Sequence, residues 1–202
     1  MINKDLEKTI EEAKAALSEN DEGRLLYKFR KKIWLDIGSF QKDSVGYRDA
    51  HVRRFHLALS CVQKVMPIWE IAFPKDKSIN ELIAIARKTI GNEVEKDISE
   101  KKAYNEWSYF DSLETESESE MRAVSVGYAS VNNVYVAVRD EVFHDVLEDE
   151  LDEDPYMWDT AFYSFLAFTG FGGENPVNID QNRDFWDWYL SEAVPKAYES
   201  IS

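Results

Sequence analysis

The chain has 202 residues, with 24 Lys and Arg against 39 Asp and Glu, and a formal charge of −15. Hydrophobic residues make up 44% and aromatics 13%, enough apolar mass to fold without a metal or disulfide staple, so collagen-like, low-complexity and disordered classes are excluded. The acid excess disfavours nucleic acid or anionic lipid as the main ligand, because phosphate binding draws on clustered Lys and Arg, and a basic partner is the natural one.

From the N-terminus, Leu6, Ile10, Ala13 and Leu17 recur at spacings of four, three and four, which stacks them on one face of a helix over 5–18. Leu25, Leu26, Phe29, Ile33, Trp34 and Ile37 repeat the pattern in a basic second helix that Gly38 can end. From His51 onward Phe55, Ala58, Leu59, Val62, Val65, Met66 and Trp69 draw a long apolar stripe with Pro67 inside it. An interior proline removes a ladder donor and clashes with the carbonyl four residues back, which predicts a kink or break near 63–66. Ser78 and Glu81 have capping-box spacing ahead of Leu82, Ile83, Ala86 and Ile90, with Gly91 placed as the C-terminal cap. Tyr104, Trp107 and Phe110 mark a further helix.

Ser117 and Glu120 repeat the capping-box spacing, followed by Val124, Val131, Val134, Val138 and Val142. The same stretch, VSVGYASVNNVYVAV, also alternates like two strands around Asn132 and Asn133. Ala123, Gly127, Ala129 and Ala137 suit a tightly packed buried helix, and helix is the expectation. Asp154 and Pro155 read as an N-cap with proline at the first helical position, opening a segment of Met157, Ala161, Phe162, Phe165 and Leu166 that Gly170 closes. GFGGENP is then a loop. Asp180 can cap a last helix carrying Phe185, Trp186, Trp188, Tyr189 and Leu190, which Pro195 can bend, and Trp186 and Trp188 fall on different faces, so at least one is partly exposed. The simplest architecture is one all-α domain over 1–202, a multi-helix bundle built from helical hairpins.

The lone Cys61 has no partner for a bridge, and the opening MINKDLEKTIEEAKAAL is charged with no apolar signal-peptide core, so a cytoplasmic location is expected. No run approaches 18 apolar residues, so no membrane span is expected.

Charge is placed unevenly. Residues 1–101 hold 19 basic and 17 acidic side chains, whereas 102–202 hold 5 and 22. Two segments concentrate the acid: DSLETESESE (111–120) with five and DVLEDELDED (145–154) with seven. Such runs serve either as solvated surface or as a docking face for a cationic protein. On the second reading Asp145, Glu148, Asp149, Glu150, Asp152, Glu153 and Asp154 form the acidic face, and Tyr156 and Trp158 beside them are the candidate anchors, since aromatics next to charge carry more binding energy than charge alone.

Candidate chemistry is thin. His51, His56 and Cys61 are spaced by five, which turns neighbours about 140° apart on a helix, and a nucleophilic Cys needs a base within reach. A buried structural thiol is the expectation. Glu141, His144 and Glu148 resemble half of a carboxylate-bridged di-metal site, but the second Glu-x-x-His pair is missing. The acids at 145–154 lack the order and central glycine of a calcium loop, and Gly170, Gly172 and Gly173 are followed by no Lys-Ser or Lys-Thr of a phosphate loop. No catalytic residue, metal ligand or cofactor is assigned.

The segment RRFHLALSCVQKVMPIWEIAFPKDKSINELIAIARKTIGNE (53–93) resembles the signature block of the fifth immunity-protein family of bacterial polymorphic toxin systems. The residues that carry the likeness are Ala58, Cys61, Val65, Met66, Pro67, Ile68, Trp69, Glu70, Phe73, Pro74, Asp76, Gly91 and Glu93, and the tail FWDWYLSEAVPKAYES (185–200) resembles the family's closing helix. Ser78 and Ile79 stand where the family pattern has Arg-Pro, and the middle helix is rich in Val where relatives are rich in Ala and His. The resemblance implies an all-α, non-catalytic protein that binds and neutralises a cognate toxin. It implies that Pro67, Trp69 and Phe73 act in packing. A metal-dependent enzyme using the Glu-x-x-His site and a non-catalytic helical adaptor are the alternatives.

Overall fold

Apolar residues spaced three and four apart dictate helices, and helices are the regular structure of the described residues, with no strand among them. The computed structural model describes residues 2–42, 44–140, 159–170 and 178–201. In chain order the helices are α1 (Lys4–Glu19), α2 (Tyr27–Asp36), α3 (Tyr47–Ala72), α4 (Ser78–Ile90), α5 (Lys96–Asp111), α6 (Glu118–Arg139), α7 (Thr160–Thr169), α8 (Ile179–Trp188) and α9 (Val194–Glu199), the last two joined by a π-helical turn, Tyr189–Ala193. The all-α reading holds. By their contacts the described residues fall into two compact units, one formed by 2–57 and 178–201, the other by 58–140 and 159–170.

In the first unit α1 packs on α2, on α8 and on the π-helical turn. Leu6, Ile10, Ala13 and Leu17 are all buried, as their spacing predicts. Two arginines are buried in this unit, and each contacts backbone oxygen and an aromatic face. Arg30 donates from Nη1 to the Leu25 carbonyl at 3.1 Å and lies 5.7 Å from the Trp186 ring. Arg54 donates to the Gly38 and Ser39 carbonyls at 3.0 and 3.2 Å, with its guanidinium 3.8 Å from the Phe40 ring centre. A planar donor fork suits this role, because it can serve several carbonyls of one helix end at once. Trp186 is buried and Trp188 partly exposed, as their different faces require.

The last helix starts differently from the sequence reading. Asn178, not Asp180, is its N-cap, with its side chain accepting from the Gln181 N–H at 3.0 Å, and Asp180 sits within the first turn. Near Pro195 the chain widens instead of breaking: the Val194 N–H bonds the Tyr189 carbonyl five residues back, one residue ahead of the proline that has no N–H to give.

The second unit is organised around α6, which packs on α4, α5 and α7. Its start is the reciprocal capping box that the sequence predicts: the Glu120 N–H donates to Ser117 Oγ at 3.2 Å and the Ser117 N–H to Glu120 Oε2 at 3.0 Å. Six valines and four small residues of α6 are buried around most of its circumference, from Ala123 to Val138. β-Branched residues weaken a helix only slightly, and burial on all sides outweighs that cost, so 124–138 forms a helix and not a hairpin.

Two local expectations give way here, and of the kink or break expected near 63–66 the break does not occur. The Ser78–Glu81 capping box does not form; Lys77 occupies the N-cap position, and Asp76 instead accepts from the Ser78 N–H at 2.7 Å. At the other end of α4, Gly91 keeps a right-handed helical conformation and Asn92 takes φ 60°, with the Asn92 N–H on the Thr89 carbonyl and the Glu93 N–H on the Lys88 carbonyl. This is the Schellman pattern with asparagine as its left-handed residue. Helix α3 runs unbroken through Pro67 to Ala72. Gly170 closes α7 at φ 86°, as expected, while Asp159 is its N-cap, accepting from the Phe162 N–H at 2.7 Å. The Asp154–Pro155 cap and the GFGGENP loop beyond Gly170 lie outside the described residues.

Candidate functional site

The nine residues singled out from the sequence as a docking face, Asp145, Glu148, Asp149, Glu150, Asp152, Glu153, Asp154, Tyr156 and Trp158, lie outside the described residues, as do Glu141 and His144. The other acidic segment, 111–120, is described. It forms the end of α5, the connection that follows, and the first turn of α6.

Helix α5 is drawn against α6 by a close approach. The ring of Phe110 lies on the backbone of Gly127, where a Cβ would fall 2.8 Å from its carbons. Any side chain at 127 would hold the ring away. Phe110 in turn meets Trp69 of α3 edge-on, at 5.4 Å between ring centres, and Trp69 contacts Phe73 at 4.6 Å. Tyr128 sits beside Gly127 on α6 and donates its phenol hydrogen to Asp111 Oδ1 at 2.6 Å. It also contacts Trp107 and Tyr163 at 4.8 and 5.4 Å. Burial, with the Asp111 hydrogen bond added, pushes the Tyr128 phenol well above its ordinary pKa, and burial pushes Tyr163 up to about 12. Both phenols are therefore neutral at physiological pH, and the Tyr128 hydroxyl serves as a donor to Asp111.

Between the α5 end and the start of α6 these contacts leave a cleft of about 260 Å³, lined by Phe110, Leu113, Met121, Val124 and Tyr128, with Asp111 at its edge. Met121 projects into solvent, 43% exposed. Asp111 lines the cleft, and Glu114, Glu116 and Glu118, near it in the chain, are all exposed. No basic residue occurs between Lys102 and Arg122, and both bracketing cations are engaged elsewhere. Lys102 bonds Glu81 and Glu106 at 2.8 and 2.6 Å, and Arg122 donates to the Ala167 and Phe168 carbonyls at the end of α7. Backbone hydrogen bonds at Glu116, with the Ser117 hydroxyl, hold the Glu120 carboxyl below the usual range and tie it to the cap.

Nucleophile and metal readings find no support among the described residues. Cys61 is fully buried, and burial, with the Asp159 charge added, raises its thiol well above the ordinary value. A thiol that resists ionisation is a poor nucleophile. No group of three or more His, Cys, Asp or Glu that could hold a metal ion occurs among the described residues. None of their helices is long and apolar enough to cross a membrane.

Of the block 53–93 only part serves packing, and Pro67, expected to pack, is exposed. Ala58, Cys61, Val65 and Trp69 are buried, while Pro67, Glu70, Pro74, Gly91 and Glu93 face solvent. Asp76 joins the start of α4 to α5, accepting from the Ser78 N–H and from the Tyr109 hydroxyl at 2.6 Å. The arrangement is that of an all-α protein with a mainly apolar cleft between α5 and α6 that Asp111 borders. The family model Immunity protein Imm5 matches residues 10–196, and the chain belongs to this family of immunity proteins. No curated protein matches the chain.

The cleft was not legible in the sequence. The acidic run 111–120 stands out by composition, and Met121 follows it directly, but the floor comes from Phe110 and Tyr128, whose convergence depends on the α5–α6 packing.

Proposed function

We propose that this chain is a stoichiometric neutraliser of a cognate bacterial toxin, acting by occupying the toxin's surface and carrying out no reaction of its own. Membership of the Imm5 immunity-protein family over residues 10–196 is the observation that carries this reading. The toxin domain is basic and docks on the acidic second half of the chain, where 22 acids face 5 bases. Within that half, Asp145, Glu148, Asp149, Glu150, Asp152, Glu153 and Asp154 supply a field that speeds encounter with a cation and rejects acidic partners, and Tyr156 and Trp158 supply anchors.

The test is co-purification with the protein encoded beside this chain, followed by rescue of cells that express that neighbour. Association should slow steeply with added salt. Charge reversal at Glu148, Asp149, Asp152 and Glu153 should lower the on-rate more than alanine at acids of the first half, such as Glu7 and Glu11. An on-rate indifferent to salt removes the electrostatic part of the proposal, and failure to bind or to rescue removes the whole.

A further inference from the structure

We propose that the cleft between the end of α5 and the first turns of α6 is an anchor site that receives one large aliphatic or aromatic side chain of the toxin, flanked there by Lys or Arg. The assignment rests on the neutralisation reading above and names a contact surface within it.

Three features of the cleft select this occupant. Its lining is mainly apolar: Phe110, Leu113, Met121 and Val124 with the small Thr115 and Ser125, closed on one side by the Tyr128 ring whose hydroxyl is already committed to Asp111. At about 260 Å³ it falls below the roughly 300–1,000 Å³ of pockets built for small organic ligands. It suits a single side chain better than a cofactor. The charge beside it is of one sign: Asp111 lines it, and Glu114 and Glu116 adjoin its lining residues Leu113 and Thr115 in the chain. Asp111, Glu114 and Glu116 form no ion pair among the described residues, and Lys102 and Arg122 are held by other partners. Uncompensated acid beside a mainly apolar lining is complementary to an apolar side chain between cations, and it repels an acidic segment of the same shape.

Met121 is the residue that makes the cleft adaptable. Its unbranched thioether side chain can move aside or close over an inserted group, and it is 43% exposed while lining the cleft. Binding energy concentrates where an apolar anchor is surrounded by a ring that excludes water. Charge beside the cleft governs encounter, whereas the anchor governs the lifetime of the complex.

The experiment uses the full chain and the purified toxin domain encoded by the adjacent gene, with dissociation followed by surface plasmon resonance. Met121→Lys places a cation in the cleft and should raise the off-rate at least about tenfold. Met121→Leu should stay near wild type, and so should Ile98→Lys, which makes the same change at an exposed apolar site of α5. In the wild-type complex, peroxide oxidation of Met121, read by mass spectrometry, should slow at least about tenfold relative to the free chain. This second measurement needs no variant to fold. A wild-type complex in which Met121 oxidises as fast as in the free chain overturns the anchor assignment, as does a folded Met121→Lys variant that dissociates at the wild-type rate. A wild-type chain that does not bind the toxin domain overturns the neutralisation reading, and the anchor with it.

Discussion

Tyr109 of α5 donates its hydroxyl to Asp76, the residue that also accepts the Ser78 N–H at the start of α4, so one carboxylate joins the α3–α4 turn to a third helix. Burial works to raise the Asp76 pKa, and the hydrogen bonds from Ser78 and Tyr109, with the Lys102 charge, overcome it and hold the carboxyl below its ordinary value. The same hydrogen bond, with burial added, pushes the Tyr109 phenol up to about 12.

This pair should leave a mark at both ends of the pH scale. Asp76 has a folded pKa below its unfolded value near 3.8, so its contribution is present above that value and is lost as pH falls through the folded one. Tyr109 has a raised folded pKa, so its contribution is complete below about 10 and is lost as pH rises through about 12. Tyr109→Phe should remove Tyr109's share of the alkaline loss, leaving that of Tyr128 and Tyr163, and shift the Asp76 titration upward. Urea unfolding at a series of pH values, with carboxylate NMR for Asp76, checks both; an Asp76 titration unchanged in Tyr109→Phe refutes the coupling.

Gly127→Ala should destabilise the protein despite alanine's better helix propensity. The added methyl meets the Phe110 ring at 2.8 Å, and that ring is buried with Trp69 behind it. Overpacking of this kind costs roughly 1–3 kcal/mol, against a gain of about 1 kcal/mol from replacing glycine in a helix. In a Phe110→Ala background the clash is gone, and Gly127→Ala should stabilise. Measuring all four corners by chemical denaturation decides it, since a sign that does not reverse contradicts the packing account.

Ser117→Ala should lower stability by about 1 kcal/mol through loss of the N-cap, and Ser117→Asp should retain most of it. Because the Ser117 cap starts the helix that carries Met121, hydrogen exchange in Ser117→Ala should quicken first at the amides of Glu120 and Met121. Uniform quickening across α6 would instead mean that the cap is coupled to global unfolding.

Cys61 should be inert to thiol reagents in the folded chain, since burial both shields the thiol and opposes its ionisation. Reaction with Ellman's reagent should follow the unfolding transition in urea. Cys61→Ser should cost more stability than Cys61→Ala, because it places a hydroxyl in an apolar site. Rapid labelling in native buffer contradicts this placement.

The sequence by itself determined the helical class, the α1 face and the family. Leu6, Ile10, Ala13 and Leu17 are near neighbours in the chain, and a period of 3.6 needs no distant partner to be read. The Ser117–Glu120 box is equally local and forms as written. The corresponding pattern at Ser78 and Glu81 does not form, because Asp76 lies two residues ahead and gains a second donor from Tyr109, 33 residues along the chain. Asn92, not Gly91, takes the left-handed turn, and with the turn there the Glu93 N–H meets the Lys88 carbonyl. Only the tertiary structure decided the cleft. Its floor needs the Phe110 ring on the bare backbone of Gly127, and contact between residues 17 apart on two helices leaves no period in the sequence. Local hydrogen bonds and periodic burial are written residue by residue, whereas a concave surface exists only where separate helices fail to fill the space between them.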